Sequence, residues 1–451
     1  MKKLVCLSLF LYFSSVVKCI LVEDIEKSLC NDENSLNSAR RKIEYHEYYA
    51  DSPNITCKIL KDGALEGWKL PLFDRHPNLI YLNYANNKIR EESLLFSSNN
   101  PNLKVAVLDN AYDIPLGKFS VPSEYPSLET LFLRKNGIRQ FVFTFKYKQY
   151  IDFPDLKNLY LNDNEIKFVG FEEDLIDCYK RGNLDCESDF GCLHDSLNFL
   201  NIDNNKLKNL TLINKNGLEQ VSANKNPLET LILKNLTNLY RIFLNEVSLT
   251  QISLQNLKNL KQFVLRDNKL DRISSSDIYD LPELRILSLA NNSIIYFDGK
   301  ILDSMLKLWT LDLTRNFLTQ VPAIKNAPGL NILILEKNQI ESLVPEDFKA
   351  MKELLHLNLH GNKIKEIKPN SFNNMEKLKY LGLKNNQLKS IPADWLLPLK
   401  NLNVADLFDN LFTNFEALSL NETVYLRKVQ VNYNLKINDP FKWILFGKDV
   451  V

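Results

Sequence analysis

The side chains best suited to covalent, acid–base or metal chemistry in this 451-residue sequence are its five histidines and seven cysteines. The histidines are His46, His76, His194, His356 and His360. His356 and His360 stand four residues apart, and along an extended strand that separation is roughly 13 Å, too far for one metal ion. They read as two polar residues of a binding surface, with a pH-sensitive contact as the other use of imidazoles there. Cys178, Cys186 and Cys192 fall close together, but not at Cys-x-x-Cys spacing, and the nearby imidazole is His194 alone. No Gly-x-Ser-x-Gly, His-Glu-x-x-His, phosphate-binding loop or dinucleotide-binding glycine cluster is present. The chemistry-bearing residues therefore point away from an enzyme: no catalytic residue, no metal and no cofactor is expected.

The elements that position these residues follow from a leucine frame that recurs about every 24 residues from Leu79 onward. One unit reads Leu354-Leu-His-Leu357-Asn-Leu359-His-Gly-Asn362-Lys-Ile364, and the next is Leu378-Lys-Tyr-Leu381-Gly-Leu383-Lys-Asn-Asn386-Gln-Leu388. This is the pattern of a leucine-rich repeat. Fifteen units start at Leu79, Leu103, Leu128, Leu156, Leu197, Leu218, Leu239, Leu260, Leu284, Leu308, Leu330, Leu354, Leu378, Leu402 and Leu426. Steps of 21 residues dominate between Leu197 and Leu260, and steps of 24 dominate from Leu260 onward, with one of 22 between Leu308 and Leu330. The ninth position is Asn in thirteen units, Ala111 in the second and Val247 in the seventh. The expected fold is an α/β solenoid, a leucine-rich-repeat horseshoe with a concave parallel sheet. Its first, fourth and sixth positions point into a continuous core and its ninth-position Asn bonds backbone groups of neighbouring coils. Ile278, Leu302, Phe348, Phe372 and Trp395 are expected to pack the convex side. The 21-residue units leave little room there for a helix.

Alternation within each strand sends the third, fifth and seventh positions to the concave face. Phe132, Arg134, Tyr160, Phe199, Arg241, Phe243, Arg266, His356, His360 and Tyr380 stand at such positions. Aromatic residues interleaved with Arg are what protein interfaces enrich. Phe132, Tyr160 and Phe199 fall on consecutive units and are expected to form one exposed patch.

Residues 1–19 read as a secretory signal, with Lys2-Lys3 ahead of an apolar stretch from Leu4 to Val17. Residues 20–78 form an expected N-terminal cap in which Cys30 and Cys57 pair. Repeats run over 79–437, with a cysteine-bearing insertion at about 170–195, and 438–451 resembles a degenerate C-terminal cap. The insertion makes the step from Leu156 to Leu197 41 residues long. A pair among Cys178, Cys186 and Cys192 would staple it. The remaining thiol either bonds another chain or is matched by Cys19. Sequons at Asn54, Asn209, Asn235, Asn291 and Asn421 are expected glycosylation sites on a secreted chain. Formal net charge is +1, and losing Lys2, Lys3 and Lys18 takes it to −2, which excludes a nucleic-acid binder by charge. No later segment is apolar enough to span a bilayer.

These repeats, N-terminal cysteines, signal and mixed 21- and 24-residue units resemble the ectodomains of Toll-type receptors. They resemble more the secreted leucine-rich-repeat immune proteins of mosquitoes. The resemblance covers about Leu79 to Phe446. It implies circulation in body fluid, disulfide-linked assembly and presentation of complement-like effectors to pathogens, with another repeat protein or a complement-like factor as partner. The long members add a cysteine-rich segment and a coiled coil, which this sequence lacks, so coil-mediated dimerisation does not carry over. The expected function is a secreted binding protein of innate immune recognition or an adaptor. The alternatives are adhesion or ligand binding at the cell surface or matrix, and regulation of an extracellular enzyme.

Overall fold

The computed structural model describes residues 22–30, 35–37, 54–65, 78–89, 100–113, 115–121, 125–143, 153–171, 195–420, 426 and 428–431. The expected signal, Cys178, Cys186, Cys192, Asn421 and the C-terminal cap lie outside them. The chain divides into two compact units. The first holds residues 1–116, 121–136 and 146–156, and the second holds 117–120, 137–145 and 157–451.

All fifteen leucine frames carry a three-residue strand at their third to fifth positions, from Tyr81–Asn83 to Lys428–Gln430. In the first unit, Ser35–Asn37, Cys57–Ile59, Tyr81–Asn83, Val105–Val107 and Thr130–Phe132 pair in parallel, in that order. Two strands of the cap thus extend the ladder ahead of the first leucine frame. In the second unit, Asn158–Tyr160, Phe199–Asn201, Gln220–Ser222 and Arg241–Phe243 form one parallel run. Gln262–Val264 begins another that continues to Lys428–Gln430. The fold is a leucine-rich-repeat solenoid.

The frame leucines explain why. Leu354, Leu357, Leu359, Leu378, Leu381 and Leu383 are fully buried, and burying each such side chain contributes roughly 1.5–3 kcal/mol. A single coil has nothing to bury them against, so the coils stack. Ile278, Leu302, Phe348, Phe372 and Trp395 are all buried on the convex side. Phe348, Phe372 and Trp395 form a column with ring centroids 6.2 and 6.1 Å apart, and the Trp395 indole donates to the Leu418 carbonyl at 3.0 Å. Where coils are 21 residues long, Asn209–Ile213, Thr230–Lys234 and Gln251–Gln255 form a second parallel sheet, paired over five residues each, which Ile278–Tyr279 of the next coil joins over two. Among the described residues, the convex side holds short strands, turns and 3-10 turns, and the one α-helix is Val22–Leu29.

The ninth-position Asn ties the coils together. Asn316 donates to the carbonyls of Leu289 and Leu313, both at 3.0 Å, and accepts from the Ile294 amide at 3.0 Å. Asn338, Asn362, Asn386 and Asn410 repeat this arrangement. At Ala111 the backbone substitutes, because the Ile89 amide donates to the Ala111 carbonyl at 3.0 Å. At Val247 nothing substitutes. The next ladder residue, Asn268, bonds only the Leu249 amide and the Arg266 carbonyl, and the inner ladder is interrupted between Arg241–Phe243 and Gln262–Val264. The eighth position is left-handed throughout, from Asn86 at φ 56° to Asp409 at φ 53°. Asn, Asp and Gly adopt that conformation most readily, and they fill most of these positions.

Candidate functional site

The last coils of the second unit bring their third, fifth and seventh positions together on one face. Ile332, His356, Tyr380 and Val404 are in register at the third position, and Asn358, Gly382 and Asp406 at the fifth. The His356 and Tyr380 rings stack at 4.3 Å and 5°, which is what neighbouring strands about 4.8 Å apart impose on two flat side chains at one register position. His360 leans across Gly382. Its Nε2 lies 3.1 Å from the Tyr380 hydroxyl and 3.6 Å from Asp406 Oδ2. A Cβ on Gly382 would sit 2.4 Å from that Nε2, so the missing side chain is what lets the imidazole lie there. Glu336 accepts from Asn358 Nδ2 at 3.1 Å, and Lys384 lies over the Phe408 ring at 4.9 Å.

The electrostatics follow from burial. His356 is pushed down to about 4, first by desolvation and then by repulsion from His360. The Tyr380 hydroxyl is pushed well above its ordinary range by desolvation, then by Asp406 and Glu336. At neutral pH His356 is therefore an uncharged ring. The two histidines are not the separate polar residues of the sequence reading, because both gather on Tyr380. Their geometry offers stacking faces and hydrogen-bonding groups to a partner. No group of three His, Cys, Asp or Glu able to hold a metal exists among the described residues.

The expected exposed patch is a correction. Phe132 is fully buried, and Tyr160 and Phe199 are nearly so. Third and fifth positions of in-register strands pack against each other when their side chains are large. Tyr160 and Phe199 do so at 5.1 Å, and the Arg134 guanidinium covers Phe132 at 5.1 Å. Arg134 itself is held by Asp109, through Nε at 2.8 Å and its backbone amide at 2.8 Å. Arg241 lies over the Tyr240 ring at 5.8 Å, Phe243 is half-buried and Arg266 is exposed. In each unit the large aromatic side chains are packed rather than open, Phe132 in the first and Tyr160 and Phe199 in the second.

Two features of the concave side lay beyond the sequence reading. In the first unit, the helix Val22–Leu29 faces it: Glu26 accepts from the Tyr81 hydroxyl at 3.4 Å and from Asn83 Nδ2 at 3.2 Å, with Lys61 at 3.7 Å. Cys30 and Cys57 are disulfide-bonded, which anchors this helix at its end. In the second unit, Asp203 accepts from the Ser222 hydroxyl at 2.7 Å and the Asn224 amide at 2.7 Å, and Asn224 accepts from the Asn245 amide at 2.7 Å. The polar residues at these positions were visible in the sequence, but their bonding across coils was not. Among the sequons, Asn54, Asn235 and Asn291 are exposed and Asn209 is half-buried. Asn235 is also a rung of a convex asparagine ladder, donating to Asn214 at 2.8 Å and accepting from Asn256 at 2.9 Å.

The leucine rich repeat family model matches residues 237–294, 306–364, 328–388 and 356–412. Comparison with curated proteins gives no match. Among solved structures the chain is similar to the APL1 leucine-rich repeat domain, at 19% identity and TM-score 0.51 over 73% of this chain and 80% of that one. It is similar to a leucine-rich-repeat protein of Leptospira interrogans at 20% identity and TM-score 0.44, covering 86% and 93%. A chain of the Drosophila Toll–Spatzle complex aligns at 17% identity and TM-score 0.46, covering 84% of this chain and 52% of that one. These likenesses concern the fold. What these findings define is the fold, a leucine-rich-repeat solenoid, and no catalytic family is indicated. Among the described residues no helix is long and apolar enough to cross a membrane.

Proposed function

We propose that this is a secreted, non-enzymatic binding protein that engages a protein partner through the concave side of its last coils, acting in innate immune recognition or as an adaptor. The observation that carries the reading is the cluster of half-buried His356, Tyr380 and His360 against the buried Asp406, flanked by Glu336 and by Lys384 over Phe408. Rigid aromatic rings beside charged groups, held in fixed geometry by a sheet, are the anchors from which protein interfaces draw most of their affinity. Secretion is supported by the basic start and apolar stretch at Lys2 to Val17 and by the Cys30–Cys57 disulfide, which belongs to an oxidising compartment. The immune role is supported by the sequence resemblance to secreted repeat proteins of mosquito immunity.

The test is affinity capture of the tagged full chain from its native extracellular fluid, with and without reductant, alongside Tyr380→Ser. The expected result is export, and capture of another repeat protein or complement-like factor that Tyr380→Ser weakens roughly tenfold or more. Retention inside cells, or capture indifferent to Tyr380→Ser, would overturn the proposal.

A further inference from the structure

The change from 21- to 24-residue coils leaves a cleft on the flank of the second unit, away from the concave face. The 21-residue coils pair their convex strands fully, as Thr230–Lys234 does with Gln251–Gln255. The next coil is longer. It meets that strand only at Leu254 and Gln255, through Ile278 and Tyr279. Its earlier part swings away, and Arg272–Ile273 pairs forward with Tyr296–Phe297 instead. Gln251, Ile252 and Ser253 thus have no ladder partner on their outer side. The gap is a cleft of about 610 Å³. One wall is the start of that strand, at Thr250 and Gln251. The other holds Arg272, Ser274 and Asp277, with Lys269, Asp271 and Tyr296 completing the lining.

Five of the lining side chains are uncommitted, whereas Thr250, Ser274 and Asp277 are already bonded. Gln251, Lys269, Asp271, Arg272 and Tyr296 make no side-chain hydrogen bond or ion pair among the described residues. Later coils behave differently at the same frame positions: Lys363 bonds Gln339 at 3.0 Å and Lys365 pairs with Glu341 at 3.3 Å, each reaching back one coil. Lys269 has no such partner, because the preceding short coil offers Ser248 at that position. Tyr296 is half exposed, at 53%. Asp277 is held by the Ser274 amide and hydroxyl at 2.7 and 2.6 Å, which fixes that wall.

We propose that this cleft is a binding site for a neutral saccharide. Lys269 and Arg272 are balanced by Asp271 and Asp277, so the cleft has no net charge to attract a phosphate, a sulfate or a cation. It is open to solvent, with polar and apolar surface in nearly equal share, Ile252 and Leu270 supplying part of the latter, so it does not enclose a lipid chain. A sugar meets both conditions. Its hydroxyls donate to the aspartates and accept from Lys269, Arg272 and Gln251, while the apolar face of a pyranose ring covers the Tyr296 ring. This site is independent of the concave face, and either can stand without the other.

The test titrates three neutral hexasaccharides (laminarihexaose, chitohexaose and mannohexaose) into the full chain, with binding read by saturation-transfer NMR and calorimetry. The expected result is millimolar or tighter binding of at least one of them, weakened roughly tenfold by Tyr296→Ala and by Asp271→Ala. Tyr279→Ala, on an equally exposed ring outside the cleft, leaves it unchanged. Binding of none of the three, binding that survives Tyr296→Ala, or displacement by inorganic phosphate would overturn the proposal.

Discussion

Asn316 shows how one side chain stabilises two coils at once. Asn316→Ala would leave the carbonyls of Leu289 and Leu313 and the amide of Ile294 unsatisfied in the core, at a cost of roughly 2–4 kcal/mol. The urea midpoint should fall accordingly with an unchanged slope, and a loss under half a kilocalorie would show that water or backbone replaces the amide, as the backbone does at Ala111. His356 sets a pH dependence. Burial holds its folded pKa at about 4, whereas an unfolded histidine titrates near 6.5. Between these values the unfolded chain binds the proton and the folded chain does not. Stability from this residue is therefore complete above the unfolded value and is lost as pH falls through the window, by roughly 1–3 kcal/mol after allowing for partial exposure. Asp347, pushed up to about 6 by its own burial, acts in the opposite sense over the lower part of that range. The comparison of wild type with His356→Phe isolates the histidine: the difference in unfolding free energy should widen against wild type from pH 7 to pH 4.5. A pH-independent difference would mean that His356 is not held neutral by the fold.

At the scale of elements, the helix Val22–Leu29 is held by one covalent and several polar ties. The Cys30–Cys57 bond closes a sequence separation of 27 residues, and in the chain-entropy account such a loop contributes roughly 3–4 kcal/mol. A Cys30→Ser, Cys57→Ser chain should therefore unfold at lower denaturant and lose the contacts of Glu26 with Tyr81 and Asn83. An unchanged midpoint would mean that those contacts alone hold the cap. The convex sheet built on Asn209–Ile213, Thr230–Lys234 and Gln251–Gln255 is the element that short coils permit. Five-residue strands fit where a helix does not, and the pairing shrinks to two residues, with Ile278–Tyr279, where the coils lengthen.

At the scale of the molecule, each coil contacts its neighbours, so stability is a sum of coil and interface terms. The weakest interface within the second unit should be the one where Val247 replaces the ladder Asn and the inner strands are not hydrogen-bonded. Native-state hydrogen exchange should show lower protection for the amides of 262–265 than for those of 286–289. Equal protection would mean that the convex strands alone keep the array cooperative across that step. The cleft lies at the same step, where a 21-residue coil meets a 24-residue one.

The sequence by itself determined the repeat, its register and its core. Leucine positions with a strict frame leave one way to bury them, and every frame strand and the convex column of Phe348, Phe372 and Trp395 follow from it. The left-handed eighth position was not read from the sequence, where Lys135, Lys225, Glu246, Arg315 and Lys337 hold it beside Asn, Asp and Gly. Only the tertiary structure decided which concave side chains are available. Frame position tells which face a residue takes, but exposure depends on what neighbouring coils place beside it. Phe132, Tyr160 and Phe199 are buried for that reason, while His356 and His360 converge on Tyr380 because Gly382 leaves room one coil away. The cleft at Tyr296 was invisible in the same way, since it arises from two coils of unequal length failing to pair.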